Sequence, residues 1–247
     1  MTNKTQEHYQ NIANIYDELW IYSEEFVEFL TAKIVASLEL KYTDVLVDLG
    51  SGTGIYAQEI LKQLPLENPI ICVDPSDRML SKISSDNRLK KVNADAVTFA
   101  ARSQRYDKVL IKEAIHHIAD KELLFKSLFP RLSAGGILLI LLLPPTIDYP
   151  LFEKYLRQYE QSQPHYEDLA KLLAGAGFEV AIDFVEYPVS IEKTQYFKMV
   201  ENRYMSGLRR FSDREIQAGL EELARKYADS TVLHFAERFV FLKALKA

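Results

Sequence analysis

The chain has 247 residues and a formal net charge of −5. Apolar side chains make up 48% of the residues and charged side chains 26%, a balance that predicts one packed globular domain with an elaboration. The acidic balance argues against non-specific nucleic-acid binding, because such binding requires positive groups that neutralise phosphates. The only cysteine, Cys72, excludes an internal disulfide and a cysteine-based zinc cluster.

The first residues are polar and do not resemble a secretory leader. The longest apolar run, Ile137 to Leu143, is much shorter than the roughly 20 residues that span a bilayer. With a single cysteine, these features lead us to expect a cytoplasmic protein with no membrane partner.

The N-terminal 40 residues predict two helices. Residues 5–20 carry apolar or aromatic side chains at helical spacing: Tyr9, Ile12, Ala13, Tyr16 and Trp20. This helix either packs on the core or covers a ligand, and the two roles are compatible. A second helix is predicted from Ser23 to about Leu40, with two glutamates in its first turn.

A glycine-rich turn follows the first predicted strand. The apolar run Val45–Leu49 leads into Gly50, Gly52 and Gly54, and a helix is predicted over Ile55–Leu64. A strand, a glycine turn and a helix together favour a nucleotide-like ligand at the helix N-terminus. The spacing D-L-G-S-G-T-G differs from the dinucleotide pattern, and Asp48 would repel a pyrophosphate but suit an ammonium group. These two features disfavour an NAD-dependent oxidoreductase.

An acidic residue also follows the second predicted strand, Pro69–Val73. Asp74 stands 26 residues after Asp48, close to the spacing of an acid that binds ribose hydroxyls in nucleotide folds. The alternative is that Asp74 only caps a helix over Ser76–Ser84.

Three further markers come later in the chain. Asp95 precedes the small residue Ala96, a pattern that in isolation indicates a turn. A predicted strand from Tyr106 ends near Lys112 and Glu113, and His116 and His117 follow it. Paired glycines at 135 and 136 then precede an apolar strand over Ile137–Leu143.

These five markers, in this order over about 100 residues, resemble the class I S-adenosylmethionine-dependent methyltransferases of the small-molecule type. The resemblance implies that S-adenosyl-L-methionine is the cofactor and S-adenosyl-L-homocysteine the product. It implies that Asp74 binds the ribose, that Met79 packs near the adenine and that Asp95 reaches the adenine amino group. The full set of expected cofactor-binding residues is Tyr9, Tyr16, Asp48, Gly50, Ser51, Gly52, Asp74, Pro75, Met79, Asp95, Ala96, Lys112 and Glu113.

The alternation of strands and helices predicts a three-layer α/β Rossmann-like sheet. The resemblance implies seven strands with the last one antiparallel, and residues 178–185 and 231–245 supply its last two strands. We expect one methyltransferase domain, with N-terminal lid helices over 1–40, a core of 41–187 and 229–247, and a helical insertion over 188–228 that forms a substrate cap. The insertion predicts helices over 194–206 and from Ser212, where Ser212 and Glu215 form a capping-box pattern.

Methyl transfer requires alignment, a dry pocket and, for some acceptors, a base. His116 and His117 are the candidate catalytic bases, with a structural role for both as the alternative. Arg203 is either an exposed helix residue or a clamp for a carboxylate. Trp20, Tyr149 and Arg203 are the candidate substrate contacts, and no metal is predicted.

We therefore expect methyl transfer to a small molecule, at oxygen and with a carboxylate as one acceptor. One alternative is an RNA or nucleotide methyltransferase, disfavoured because Lys112-Glu113-Ala114-Ile115 stands where such enzymes carry N/D-P-P-Y/F. The other is a non-catalytic S-adenosylmethionine-binding protein of the same fold. Small-molecule substrates are the expected partners of a monomer or homodimer.

Overall fold

The computed structural model describes residues 23–247 and contains a seven-stranded mixed sheet with helices on both faces. The strand order is β3-β2-β1-β4-β5-β7-β6, and β7 runs antiparallel to both of its neighbours. The predicted fold class, including the antiparallel last strand, is therefore confirmed. The N-terminal helix predicted over residues 5–20, with Tyr9, Tyr16 and Trp20, lies outside the described residues.

The strands are β1 Leu46–Leu49, β2 Ile70–Asp74, β3 Leu89–Asn93, β4 Tyr106–Lys112, β5 Leu132–Leu142, β6 Glu179–Glu192 and β7 Val232–Leu245. The helices are α1 Glu24–Leu38, α2 Ile55–Gln63, α3 Asp77–Lys82, α4 Ala96–Ala100, α5 Lys121–Leu128, α6 Glu153–Ser162, α7 Tyr166–Gly175, α8 Lys193–Glu201 and α9 Asp213–Lys226. Short 3₁₀ turns cover Ile115–His117, Phe129–Arg131 and Ser206–Arg210. None of the helices within residues 23–247 has the length and apolar character needed to cross a bilayer.

The central strands are buried on both faces, which explains their uninterrupted apolar sequences. In β1, Leu46 packs into the apolar layer on one face of the sheet, and Val47 and Leu49 pack into the layer on the other. Strand β1 pairs in parallel with β2 on one side and with β4 on the other. The chain therefore leaves β1 and β4 at a topological switch point, where open α/β sheets bind ligands.

Strand β6 is longer than predicted and corrects one boundary. It ends at Glu192 rather than Val185, so the helical insertion begins at Lys193 rather than Pro188. Pro188 indicated a break in the strand, but β6 is an edge strand, where a missing N–H is tolerated. Residues 185–192 of β6 and 232–239 of β7 pair beyond the last β5–β7 pair, Leu142 with Val240, and we call this two-stranded extension the arm.

The insertion contains the two predicted helices, with one difference. The capping box of Ser212 and Glu215 at the start of α9 is confirmed. Helix α8 ends at Glu201, five residues before the predicted end at Ser206, and Arg203 then adopts a left-handed backbone with φ of 55°. A left-handed residue cannot continue a right-handed helix, so this position ends α8.

Candidate cofactor and acceptor site

The glycine-rich turn is attached to the end of strand β2 by backbone hydrogen bonds. The N–H groups of Gly50 and Ser51 both donate to the Val73 carbonyl, at 2.8 and 3.0 Å. The Gly54 N–H donates to the Ser51 carbonyl at 2.9 Å, and α2 begins directly afterwards. These hydrogen bonds hold the turn in one conformation at the carboxyl edge of the sheet.

Two of these glycines serve different purposes. Both have left-handed backbones, with φ of 86° at Gly50 and 55° at Gly52. A Cβ atom on Gly50 would lie 2.4 Å from the Cβ of Ala114, whereas one on Gly52 would meet nothing within 4 Å. Gly50 is thus required by the packing of the chain itself, and Gly52 faces open space in which a ligand can approach the backbone.

Asp74 links the glycine turn to the loop after β2. Its carboxylate is buried and accepts hydrogen bonds from the Gly52 N–H at 3.0 Å and the Ser76 N–H at 2.8 Å. The N-cap of α3 is Ser76, whose hydroxyl accepts from the Met79 N–H, so Asp74 is not the capping residue. Each carboxylate oxygen can accept a further bond, and the group can therefore also receive ribose hydroxyls.

Asp48 is buried at the end of β1. Burial raises the pKa of its carboxyl group to about 7, the negative charge of Asp74 adds to the rise, and Lys112 opposes it. The Ser51 hydroxyl on the adjoining turn is buried with no hydrogen-bond partner among residues 23–247. A ligand with an amino group and hydroxyls satisfies these groups, and S-adenosylmethionine has both.

The remaining expected adenosine contacts follow β2 and β3. Met79 is buried in α3, and the Pro75 carbonyl accepts a hydrogen bond from the Asn93 side chain at 3.3 Å. Asp95 is exposed and caps the short helix α4, which begins at Ala96, by accepting the Thr98 N–H at 3.0 Å. Asp95 is thus a helix N-cap rather than a turn residue, and its contact with adenine stays a prediction.

The residues after β4 form the next part of the site. The Lys112 ammonium lies 3.4 Å from the Glu113 carboxylate and 4.6 Å from the centre of the Tyr56 ring. His116 and His117 follow in a 3₁₀ turn with ring centres 3.9 Å apart. Burial lowers the pKa of both imidazoles, so both are neutral at pH 7.

A cavity of about 160 Å³ lies beneath the arm. Two pairs of the arm line it from the inner side of the strands, Tyr187 with Glu237 and Val189 with Phe235, and Pro188 and Ser190 also contribute to the lining. The cavity is lined by Ser23, Phe26, Tyr149, Tyr187, Pro188, Val189, Ser190, Tyr196, Met199, Tyr204, Phe235 and Glu237. Of the candidate substrate residues, Tyr149 lines it.

Glu237 is the site residue that the sequence prediction missed. It is 7% exposed, and burial raises the pKa of its carboxyl group to about 7, an effect that the nearby Tyr149 hydroxyl opposes and Glu113 reinforces. One signal was available, because Phe235, Glu237 and Phe239 stand at alternate positions of β7 and so share one face of the strand. A charged residue inside such an apolar stripe indicates a buried functional group.

Arg203, His116 and His117 do not belong to the described lining of this cavity. The Arg203 guanidinium donates to the Asp213 carboxylate at 2.5 Å and to the Phe211 carbonyl at 3.4 Å. Lys112 connects the two parts of the site electrostatically, because its charge lowers the pKa of both Asp48 beside the glycine turn and Glu237 in the cavity.

Comparisons with known proteins agree with this geometry. The family model of the methyltransferase domain matches residues 22–181. A ubiquinone/menaquinone biosynthesis C-methyltransferase of Xylella fastidiosa is 24% identical over 177 residues, covering 59% of this chain and 70% of that protein. A phosphoethanolamine N-methyltransferase of Plasmodium falciparum is 24% identical over 231 residues, covering 87% of this chain and 84% of that protein.

Among solved structures, an S-adenosylmethionine-dependent methyltransferase from Archaeoglobus fulgidus shares the fold, with a TM-score of 0.60 and 19% identity over 94% of this chain and 98% of that one. Such a likeness bears on the fold alone. The family match, however, spans well over half of the chain and includes the glycine turn, Asp74 and the residues after β4. The chain belongs to the methyltransferase-domain family and is a class I enzyme that uses S-adenosylmethionine.

Proposed function

We propose that the protein transfers a methyl group from S-adenosylmethionine to a small molecule held in the cavity beneath the arm. The observation that supports this proposal is the position of Lys112 and Glu113. They end strand β4 beside Asp48, and their charges also act on Glu237 in the cavity. The two halves of the site therefore adjoin at the carboxyl edge of β4.

In this proposal the residues of the chain divide the work of binding. Asp74 receives the ribose hydroxyls, Asp48 faces the amino group, and Gly52 leaves room for the cofactor beside the backbone. The cofactor supplies an electrophilic methyl group on a sulfonium. Tyr9, Tyr16 and Trp20 stay predicted contacts, as do Met79, Pro75, Asp95 and Ala96.

The nature of the acceptor atom is the finer part of the proposal. An oxygen acceptor such as a hydroxyl requires a base, and neutral His116 or His117 stays a candidate for that role. A carboxylate acceptor has less support, because Glu237 is the only charged side chain in the described lining and Arg203 is bound to Asp213. The cavity therefore favours a neutral or positively charged acceptor over an acid.

Calorimetry with S-adenosylmethionine, S-adenosylhomocysteine and NAD tests the cofactor half of the proposal. We expect the first two to bind at micromolar concentration and NAD not to bind. Release of S-adenosylhomocysteine in the presence of small phenols, amines and acids then tests turnover. Binding of NAD alone would overturn the proposal, and cofactor binding without turnover of any acceptor would favour the non-catalytic alternative.

A further inference from the structure

The cavity beneath the arm has an unusual combination of side chains. Its described lining contains six aromatic rings, which belong to Phe26, Tyr149, Tyr187, Tyr196, Tyr204 and Phe235. These rings contact one another, with centres 5.0 Å apart for Phe26 and Tyr187 and 5.1 Å apart for Tyr149 and Phe235. Glu237 is the single charged side chain among them.

The carboxyl group of Glu237 is incompletely satisfied by the chain. Its Oε1 atom is buried and has no hydrogen-bond partner among the described residues, and the same is true of the Tyr149 hydroxyl. The Tyr149 hydroxyl is close enough to Glu237 to lower the pKa of its carboxyl group. A buried carboxylate oxygen without a hydrogen-bond partner is costly to keep, so the position of Oε1 among aromatic rings calls for a further partner.

A positively charged nitrogen meets both parts of this environment. Aromatic ring faces attract cations, and a carboxylate supplies a counter-ion and a hydrogen-bond acceptor. The volume of about 160 Å³ is large enough to hold a small organic head group.

We propose that the arm cavity binds the protonated amino group of a small amine, which is the methyl acceptor, with Glu237 as its counter-ion. This inference rests on the proposed function, since it names the acceptor class of the same site. The cation that acts on Glu237 among the described residues is Lys112, which pairs with Glu113 and is not part of the described lining.

The same carboxylate can prepare the amine for reaction. An ammonium group has no free electron pair and must lose a proton before it can accept a methyl group. Transfer of that proton to the Glu237 carboxylate leaves a neutral amine and a neutral carboxylic acid, and the step needs no further reactant. Burial of the carboxyl group favours its protonated form and so assists this transfer.

Choline and its uncharged isostere 3,3-dimethylbutanol are suitable binding probes, because choline is already fully methylated and only its charge distinguishes the two. We expect calorimetry at pH 8 to give a preference for choline of about tenfold or more in the full-length protein. Glu237→Gln keeps the shape of the side chain and removes its charge, and we expect it to abolish the preference.

Glu186→Gln is the matched control, because Glu186 lies on the same arm but is exposed and pairs with Arg238. It should keep the preference for choline. Equal binding of the two probes, or a preference that survives Glu237→Gln, overturns the inference. Should Glu237→Gln fail to fold, Tyr187→Leu replaces it, and loss of the preference in that variant supports the aromatic site.

Binding of S-adenosylmethionine, measured on the same samples, distinguishes failure of the amine inference from failure of the proposed function. Normal cofactor binding and turnover of neutral acceptors, without a preference for choline, would contradict the amine inference alone. Absence of cofactor binding would contradict the proposed function itself.

Discussion

The two halves of the site are built in different ways. The cofactor half consists of short loops at the carboxyl ends of parallel strands, in which Asp74 and the glycine turn bind each other through backbone N–H groups. The acceptor half is formed by side chains of the arm and of the helices beside it. The family model covers residues 22–181, and nine of the twelve described cavity residues lie beyond it. The expected cofactor residues of the described chain thus lie within the part that the family model matches, and most of the cavity lining lies beyond it.

The largest expected effect separates packing from ligand binding within the glycine turn. Gly50→Ala places a Cβ 2.4 Å from that of Ala114 at a left-handed backbone, so we expect a loss of about 2–4 kcal/mol in the free energy of unfolding. Gly52→Ala meets no neighbour and should lose about 1–2 kcal/mol, while its affinity for S-adenosylmethionine falls. Urea denaturation measures the free energy of unfolding of each variant, and calorimetry measures its affinity for S-adenosylmethionine. Equal destabilisation of the two variants would contradict the distinction.

The next effect concerns the pH dependence of stability in the acceptor half. The pKa of Glu237 is about 7 in the folded protein and near 4.5 when unfolded. Ionising this buried carboxyl group therefore lowers the free energy of unfolding. The loss is absent below pH 4.5, grows as the pH rises to about 7 and is then constant. Glu237→Gln removes that loss, which amounts to roughly 3 kcal/mol. Among the described residues, the charged or titratable groups that interact with Glu237 are Tyr149, Tyr159, Tyr196, Tyr204, Tyr56, Glu113 and Lys112.

Denaturation of both proteins at pH 4.5, 6 and 8 measures this difference. We expect the gain in stability of Glu237→Gln over the wild type to increase along the series. A gain that is the same at all three values would mean that Glu237 keeps an ordinary pKa in the folded protein.

A third effect is confined to the cofactor half. Asp74→Asn removes the negative charge that accepts two backbone N–H groups and, in our proposal, the ribose hydroxyls, so affinity for S-adenosylmethionine should fall by about 1.5–3 kcal/mol. Asp77→Asn is the control, since Asp77 is an exposed neighbour in the first turn of α3. If both variants bind the cofactor as the wild type does, Asp74 is not part of the site.

The smallest expected effect tests the carboxylate clamp. Arg203 is bound to Asp213, which is 95% exposed, and such surface pairs are worth about 0–1 kcal/mol. We therefore expect Arg203→Ala to leave the KM of turned-over acceptors unchanged and the stability nearly so. A KM that rises for acids but not for amines would restore the clamp and weaken the contrast between the halves.

The sequence predicted the strands and the glycine turn of the cofactor half well because their evidence is local. The glycine turn directly follows β1 in the sequence, and Asp74 is the last residue of β2. Burial on both faces makes β1 and β2 largely apolar runs. The capping box at Ser212 was equally local. Asp74 was found, but its bond to Gly52, 22 residues away, required the parallel pairing of two strands.

The acceptor half was harder to predict because it depends on the register between distant strands. Pro188 seemed to end β6, yet it lies on an edge strand opposite Ala236. Tyr187 and Glu237 are 50 positions apart and become neighbours only through this pairing. Of the candidate substrate contacts, Tyr149 lines the cavity, whereas Arg203 is bound to Asp213 outside the described lining.

The long pairing of the arm also bears on how the substrate specificity of such an enzyme can evolve. Each strand of the arm alternates between inner residues such as Phe235 and outer ones such as His234. An insertion of one residue in either strand would turn every later inner side chain outward. New specificities should therefore arise through substitutions at positions that line the cavity rather than through insertions within the two strands.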